Sequence, residues 1–574
     1  MSTIPTTEEL AALFEQGMFA SEMARGFGLN DKAETQVLQA RCAELHNSGT
    51  LDLLQIVESG ALQRLNGSIF FMAMHFFCQI LPELEATPAR MMACVEALVT
   101  RGGEDMLSNQ PNAAFRAWCA KDPRRAHEVI AAAHRNNDLA NRHLTFALES
   151  INAIPEARQI ALLYNDARRL CAITALGRME DNDPASRSET LAVFSAILDA
   201  AVADDNLRAN MLDATAAILS RNHDVPSPEA VVLVRRLVKD AGDFTIHQSA
   251  RVLWAYPKAL HQDILACLLE ALACLNPGNK GTVNELDHGL QTLLELGHDE
   301  AAIGYVTQSL SSDDGTLRLQ DLDDFSSTLI SGPAERLSRV VVQWLRLGAR
   351  RLCEGLADAL RHHDPNGPPL ELRADDLAIS SAAQVFVCRK GIGWFFLMPT
   401  TAASVLVSVL RVCDTETAQE VQKLLVEPLL LNYSGVREYL QGLTADDAAK
   451  SRVEQALAQN ESYLEALRAI PAIKELQPSE PHRRIERLRV ADQMREGHKQ
   501  AQSQSVLLKI AKRSVLLYGN RSLSFIKDEK DVLRPVEMDL KPFGVSFEMP
   551  RMEIIDPVGL DFTLLVFRAE TMAS

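Results

Sequence analysis

Between Asp183 and His363 a helix-start signal recurs at a rough interval, and a chain written that way has few options other than stacking helices in pairs. Asp183-Pro184, Ser227-Pro228-Glu229 and Gly332-Pro333-Ala334-Glu335 each set a capping position ahead of a proline. Proline's fixed φ and missing N–H suit the first helical position, so helices are predicted to begin there. Apolar residues follow at helical spacing: Leu191, Phe194, Leu198 and Ala201; Leu212, Ala216 and Leu219; Val252, Tyr256 and Leu260; Leu265, Leu268, Leu272 and Leu275. None of these alternates as a strand would. With two helices per unit, pairs open near Pro184, Pro228, His261, Glu300 and Pro333, at intervals of about 33 to 44 residues.

One helix pair cannot cover its own apolar face, and a neighbour of similar shape can. The pattern therefore resembles HEAT-type or armadillo-type helical repeats at the level of architecture. The drifting period names no particular repeat family, and an irregular helical bundle is the competing reading. The expected fold class is mainly α, an α-solenoid of irregular helix pairs with a small C-terminal β-rich module. The expected regions are 1–182, N-terminal helical; 183–363, helical repeat; 370–476, C-terminal helical; and 482–570, a basic connector with the β-rich module.

A chain of 574 residues exceeds one ordinary core, and a solenoid accommodates that length by repetition. Aromatics at 5% favour helices over a β-sandwich. Ten cysteines lie scattered with no Cys-x-x-Cys pair, which reads as reduced, buried small hydrophobes, Cys267 and Cys274 included. Met1 to Leu10 lacks a basic region leading into an apolar run, so a cytosolic protein is expected.

Thr6 to Glu9 has capping-box spacing, and Gly26-Phe27-Gly28 should end the helix that follows. Ile69 to Leu81 reads as a buried helix. His362 to Pro369, rich in proline, is the strongest linker signal. Gly391 to Leu410 carries no charge, yet Pro399 splits it, so two buried helices are expected rather than a membrane span. Further on the period changes: Phe543, Val545, Phe547 and Met549 alternate with polar or small residues, and Val515–Tyr518 and Ser522–Lys527 flank the turn pair Gly519-Asn520. Met552–Ile555 and Phe562–Phe567 are read as added strands, for five or six in all.

Signatures of chemistry are weak. Pro277 to Thr282 puts a lysine among glycines without phosphate-loop spacing and reads better as a helix-to-helix turn. His127 and His134 stand seven apart, not the four that a helical zinc site needs. His362 and His363 suit a helix's last turn, where cations meet the dipole. Ser434 has half a nucleophile-elbow pattern, and Asp528-Glu529-Lys530-Asp531 reads as a solvated hairpin tip. No catalytic residue, metal ligand or cofactor is assigned.

Charge supplies the one functional signal. The net charge is −18, but His482–Arg521 carries ten basic against three acidic residues. Arg483, Arg484, Arg487, Arg489, Lys509, Lys512 and Arg513 are candidate polyanion-binding residues, joined by Arg495 and Lys499. Few aromatics interleave them, and the plainer reading is that they face solvent or the acidic body. The expected function is a non-catalytic scaffold or adaptor that holds a protein partner on a helical-repeat surface, with no membrane contact. The alternatives are a nucleic-acid-binding subunit of a larger complex using 482–521, and an enzyme with a divergent hydrolytic site.

Overall fold

The computed structural model describes residues 4–29, 31–103, 109–200, 204–221, 227–311, 317–471, 473, 477–504, 511–516, 521–527, 533–539 and 548–572. The chain divides into two units, Met1–Arg336 and Leu337–Ser574. The first opens with α1 (Thr7–Glu15), α2 (Phe19–Ala24), α3 (Lys32–Asn47), α4 (Leu54–Glu58), α5 (Gly67–Ile80) and α6 (Pro88–Gly102). Thr6 and Glu9 form the expected reciprocal box, the Thr6 amide donating to the Glu9 carboxylate at 2.7 Å. Gly26, Phe27 and Gly28 all take positive φ and end the second helix. The α5 helix is not buried all round: Phe70, Phe77 and Ile80 face inward, whereas Ile69 and Met72 are about half exposed.

Next come α7 (Asn109–Lys121), α8 (Pro123–His134), α9 (Asp138–Ser150), α10 (Ile154–Leu163), α11 (Ala167–Arg178), α12 (Pro184–Ala200) and α13 (Asp205–Arg221). Then follow α14 (Pro228–Val238), α15 (Asp243–Ala255), α16 (Gln262–Leu272), α17 (Lys280–Glu295), α18 (Asp299–Ser311) and α19 (Asp323–Ser331). From α7 to α19 each odd-numbered helix packs on the odd-numbered helix before and after it. The even-numbered helices from α10 to α18 form a second layer in the same way. The predicted pair openings fall on the starts of α12, α14, α16, α18 and α20 (Ala334–Leu347), the last of which spans the division between units. Asp183 and Ser227 cap as expected, accepting from Ala185 N at 3.1 Å and Ala230 N at 3.3 Å.

Two devices recur between one helix pair and the next. Carboxylates cap the following helix of the layer: Asp205 accepts from the amides of Gly242 and Phe244 at the start of α15. Asp287 accepts from Asp324 at 2.9 Å and Phe325 at 2.8 Å at the start of α19. Arginines take the carbonyls left open at helix exits. Arg101 donates to Gln63 and Leu65, Arg221 to Gly177 and Met179, and Arg336 to Leu294. These bonds span 36 to 44 residues, the length of one helix pair. Burial raises the Asp287 carboxyl above its ordinary range, with the Phe325 and Asp324 amides pulling it back. Asp287→Ala leaves two amides without an acceptor and should cost about 1–3 kcal/mol in urea unfolding, with Asp287→Asn recovering part of it.

The second unit holds α21 (Arg350–His363), α22 (Ser381–Phe395), α23 (Pro399–Val412), α24 (Thr415–Leu424), α25 (Ser434–Gln441), α26 (Lys450–Ala469) and α27 (Glu480–Gln504). The α22, α24 and α26 helices pack in series, as do α23 and α25. Gly391–Leu410 is split between α22 and α23 as expected, and no helix among the described residues is long and apolar enough to cross a membrane. The proline-rich segment after α21 is an extended strap on α23. Its Leu370 and Leu372 amides donate to Ser404 and Ser408 Oγ, and Thr401 Oγ1 donates to the Pro368 carbonyl.

Beyond α27 lie β1 (Ala511–Leu516), β2 (Arg521–Lys527) and β3 (Leu533–Asp539), antiparallel in that order. Strands β1 and β2 pair as a hairpin, but β1 starts at Ala511 and overlaps the expected Val515–Tyr518 only at Val515 and Leu516; Gly519-Asn520 lies outside the described residues, as do Phe543, Val545 and Phe547. Two expected strands are helices instead: α28 (Met552–Ile555) and α29 (Pro557–Ala569). Asp556 caps α29 by accepting from Gly559 N at 3.0 Å, with Pro557 in the first turn, the same opener as Asp183-Pro184. Leu560 and Leu564, one turn apart, are its buried face.

Candidate functional site

The helices of the odd-numbered layer position a band of aromatic and polar side chains across the middle of the first unit. On α15, Phe244, His247, Arg251 and Trp254 fall on one face, three or four residues apart, while Ile246, Ala250, Val252 and Leu253 point into the core. Phe244 is 64% exposed and Trp254 39%. Hydrogen bonds across the layer hold the band in place. The Trp254 indole donates to Glu285 at 2.6 Å, and its ring meets that of His288 edge-on at 6.5 Å. His288 pairs in turn with Asp324 at 2.7 Å. His247 lies 3.2 Å from Thr282 Oγ1, also on α17, and on the other side Gln248 donates to Asp213 of α13 at 2.7 Å. Burial, with Asp213 beside it, pushes the Tyr256 hydroxyl up to about 12.

Earlier in the same layer a charge ladder crosses three helices. Glu149 of α9 is nearly buried and pairs with Arg116 of α7 at 3.3 Å and Arg178 of α11 at 3.4 Å, beside a shallow cavity of about 300 Å³. The layer thus offers arginine, tryptophan, phenylalanine and histidine on a rigid helical base. Of these, tryptophan and arginine dominate the energetics of protein interfaces.

The second unit contains a larger cleft, about 690 Å³, between α24, α26 and the α28–α29 segment. Arg389, Lys423, Glu420, Glu427 and Asp556 line it together with Pro428 and Leu560. Its wall is set by Asn432, whose carbonyl and side-chain oxygens accept from the Arg551 and Met552 amides. Its lining thus carries both signs of charge, two basic and three acidic side chains.

The basic candidates are spread out rather than gathered. Arg483, Arg484, Arg487 and Arg489 are exposed on α27, along with Arg495 and Lys499. Glu480 pairs with Arg483 and Arg487, Glu486 with Arg489, Asp492 with Arg495, and Glu496 with Lys499. The helix therefore carries six basic and four acidic residues, and its own carboxylates temper the positive field. Lys512 and Arg513 lie on β1, and Lys509 lies outside the described residues.

Other singled-out residues have structural roles. Asn279 caps α17 and Lys280 pairs with Asp321 at 2.8 Å, so Pro277–Asn279 belongs to the expected helix-to-helix turn and Lys280–Thr282 opens the helix. His362 and His363 end α21. His134 bonds to Tyr164 and Glu156. The Ser434 amide and hydroxyl and the Gly435 amide all donate to Glu548, making that carboxylate the cap of α25. Asp528–Asp531 lies outside the described residues. Eight cysteines are buried, and burial pushes the thiols of Cys42, Cys78, Cys94, Cys119 and Cys353 up to about 12. Cys274 is the correction: it follows the end of α16 and is exposed.

No group of three or more metal-ligating side chains occurs among the described residues. No family model matches the chain, and no curated protein matches it.

Proposed function

We propose that the chain is a non-catalytic scaffold that holds a protein partner on the odd-numbered layer of its first unit, through stacked helical repeats of the HEAT or armadillo kind. The observation that carries this reading is the row of Phe244, Arg251 and Trp254 on α15, with Trp254 held through Glu285, His288 and Asp324 on the next two helices. Large exposed side chains on a fixed base lose little entropy on binding, which is what an interface anchor requires. Stacked helix pairs extend such a face over successive repeats.

A second reading, binding of nucleic acid or another polyanion, rests on the exposed arginines of α27. One experiment separates the two. The full chain is affinity-purified from its native host with nuclease treatment, beside the variant Phe244→Ala/Arg251→Ala/Trp254→Ala. The scaffold reading expects a stoichiometric protein that survives nuclease and whose affinity falls at least about tenfold in the variant, with the circular dichroism of the folded chain retained. Retention of the same protein by the variant, or a nuclease-sensitive partner alone, contradicts it.

A further inference from the structure

The last helix of the second unit is apolar on two opposite faces. Leu560 and Leu564 are buried, and α29 packs on α22. Arg568 Nε donates to the Gly393 carbonyl at 2.6 Å, and Lys390 Nζ donates to the Arg568 carbonyl at 2.6 Å. The other side of α29 carries Val558, Phe562, Leu565 and Ala569, all exposed, with Val558 at 77%, Phe562 at 66% and Leu565 at 60%. Ile555 just before the helix and Met572 just after it are exposed as well. Ile555, Val558, Phe562, Leu565, Ala569 and Met572 follow one another at steps of three and four residues in strict alternation. That is the spacing of a seam on which two helices pack. A helix at the surface ordinarily turns a polar face outward. This one does not.

We propose that the seam on α29 is covered by the same seam of a second copy of the chain, the two helices running antiparallel about a twofold axis near Phe562–Leu565. A twofold places one patch against itself, so the patch must be complementary to itself under reversal. The seam satisfies this, because reversal sets Phe562 against Leu565 and Val558 against Ala569. The charges agree. Asp561 and Arg568 stand seven residues apart on one edge of the seam, so an antiparallel partner, which sets that edge against itself, brings each near its opposite, a match that a parallel partner does not make. The Arg568 carbonyl and Nε are already engaged by α22, which holds the helix in place to receive the partner. A specific interface buries about 1,000 Å² in total at its lower limit, and one seam of this length reaches little beyond it. Association is therefore weak and concentration-dependent, with a midpoint on the order of micromolar.

Sedimentation equilibrium of the full chain between sub-micromolar and about 100 μM tests this. The mass should rise from 63.3 kDa toward twice that value. Phe562→Glu/Leu565→Glu should hold it at the monomer mass at every concentration, with the circular dichroism of the folded chain. If that variant loses helicity, the milder Val558→Gln/Phe562→Gln replaces it and should weaken association at least tenfold. A wild-type chain that stays at 63.3 kDa throughout, as it would if another part of the same chain or a different protein covered the seam, overturns the proposal. A dimer indifferent to both variants does so too. Either result leaves the partner-binding face of the first unit untouched, since no residue is shared.

Discussion

Gly289→Leu is expected to cost about 3 kcal/mol or more, because α17 approaches α15 too closely to admit a side chain. A Cβ at position 289 would lie 2.7 Å from Leu253 Cβ and 3.2 Å from the Ala250 carbonyl oxygen. The second neighbour is backbone and cannot rotate away. Gly177 is in the same position on α11, 2.8 Å from Ala214 Cα of α13, so Gly177→Leu should behave alike. Glycine inside a helix ordinarily costs about 1 kcal/mol relative to alanine, so its presence at these two sites follows from packing, not propensity. Gly304 on α18 supplies the opposite sign. Nothing lies within 4 Å of its absent Cβ, and Gly304→Ala should stabilise by up to about 1 kcal/mol. Urea unfolding of the three variants reads both directions.

Lys390→Ala should release the C-terminal helix. The side chain is 1% exposed, its ammonium meets the last turn of α29 at the Arg568 carbonyl, and the Phe386 ring lies 5.2 Å away. Truncation removes a charged hydrogen bond and leaves a cavity, together about 3 kcal/mol. Limited proteolysis should then cut between α28 and α29 in the variant well before it does so in the wild type. Burial lowers the pKa of Lys390 from its usual 10.5, opposed by Cys353 and Glu570 nearby. With the folded value the lower of the two, the folded chain sheds this proton first as pH rises. The contribution of Lys390 to stability therefore increases with pH between its folded pKa and 10.5, and that increase should vanish in Lys390→Met.

Proline-led openers were legible because capping chemistry is local. Asp183, Ser227 and Thr6 each act within their own turn, and the drifting spacing of the pairs was the real spacing. Asp556-Pro557 is the same signal, yet Phe562–Phe567 reads as a strand. A helix apolar on two faces shows a continuous apolar run, and the period that separates Leu560 and Leu564 from Val558 and Phe562 is hidden inside it. Cys274 misleads for a related reason: seven residues from Cys267 means the same face only while the helix lasts, and α16 ends at Leu272.

The proposed interaction surface was harder to see. The charge of 482–521 stands out in the sequence, but counting from His482 omits Glu480, which pairs with two of the arginines. Phe244 and Trp254 gave no signal, since an aromatic on a helix ordinarily belongs to its core. Only the arrangement of neighbours shows that the covered face of α15 is the one with Val252 and Leu253. Which face is left open is a property of the stack, not of any one helix.

Native-state hydrogen exchange on Gly289→Leu is the most direct test that the first unit is held together by neighbouring helices. Side-chain hydrogen bonds one helix pair apart and packing between successive members of the layer predict faster exchange in α15, α17 and α19, with α7, α9 and α11 protected as in the wild type. Uniform loss of protection from α7 to α19 would mean one indivisible core and would contradict the account.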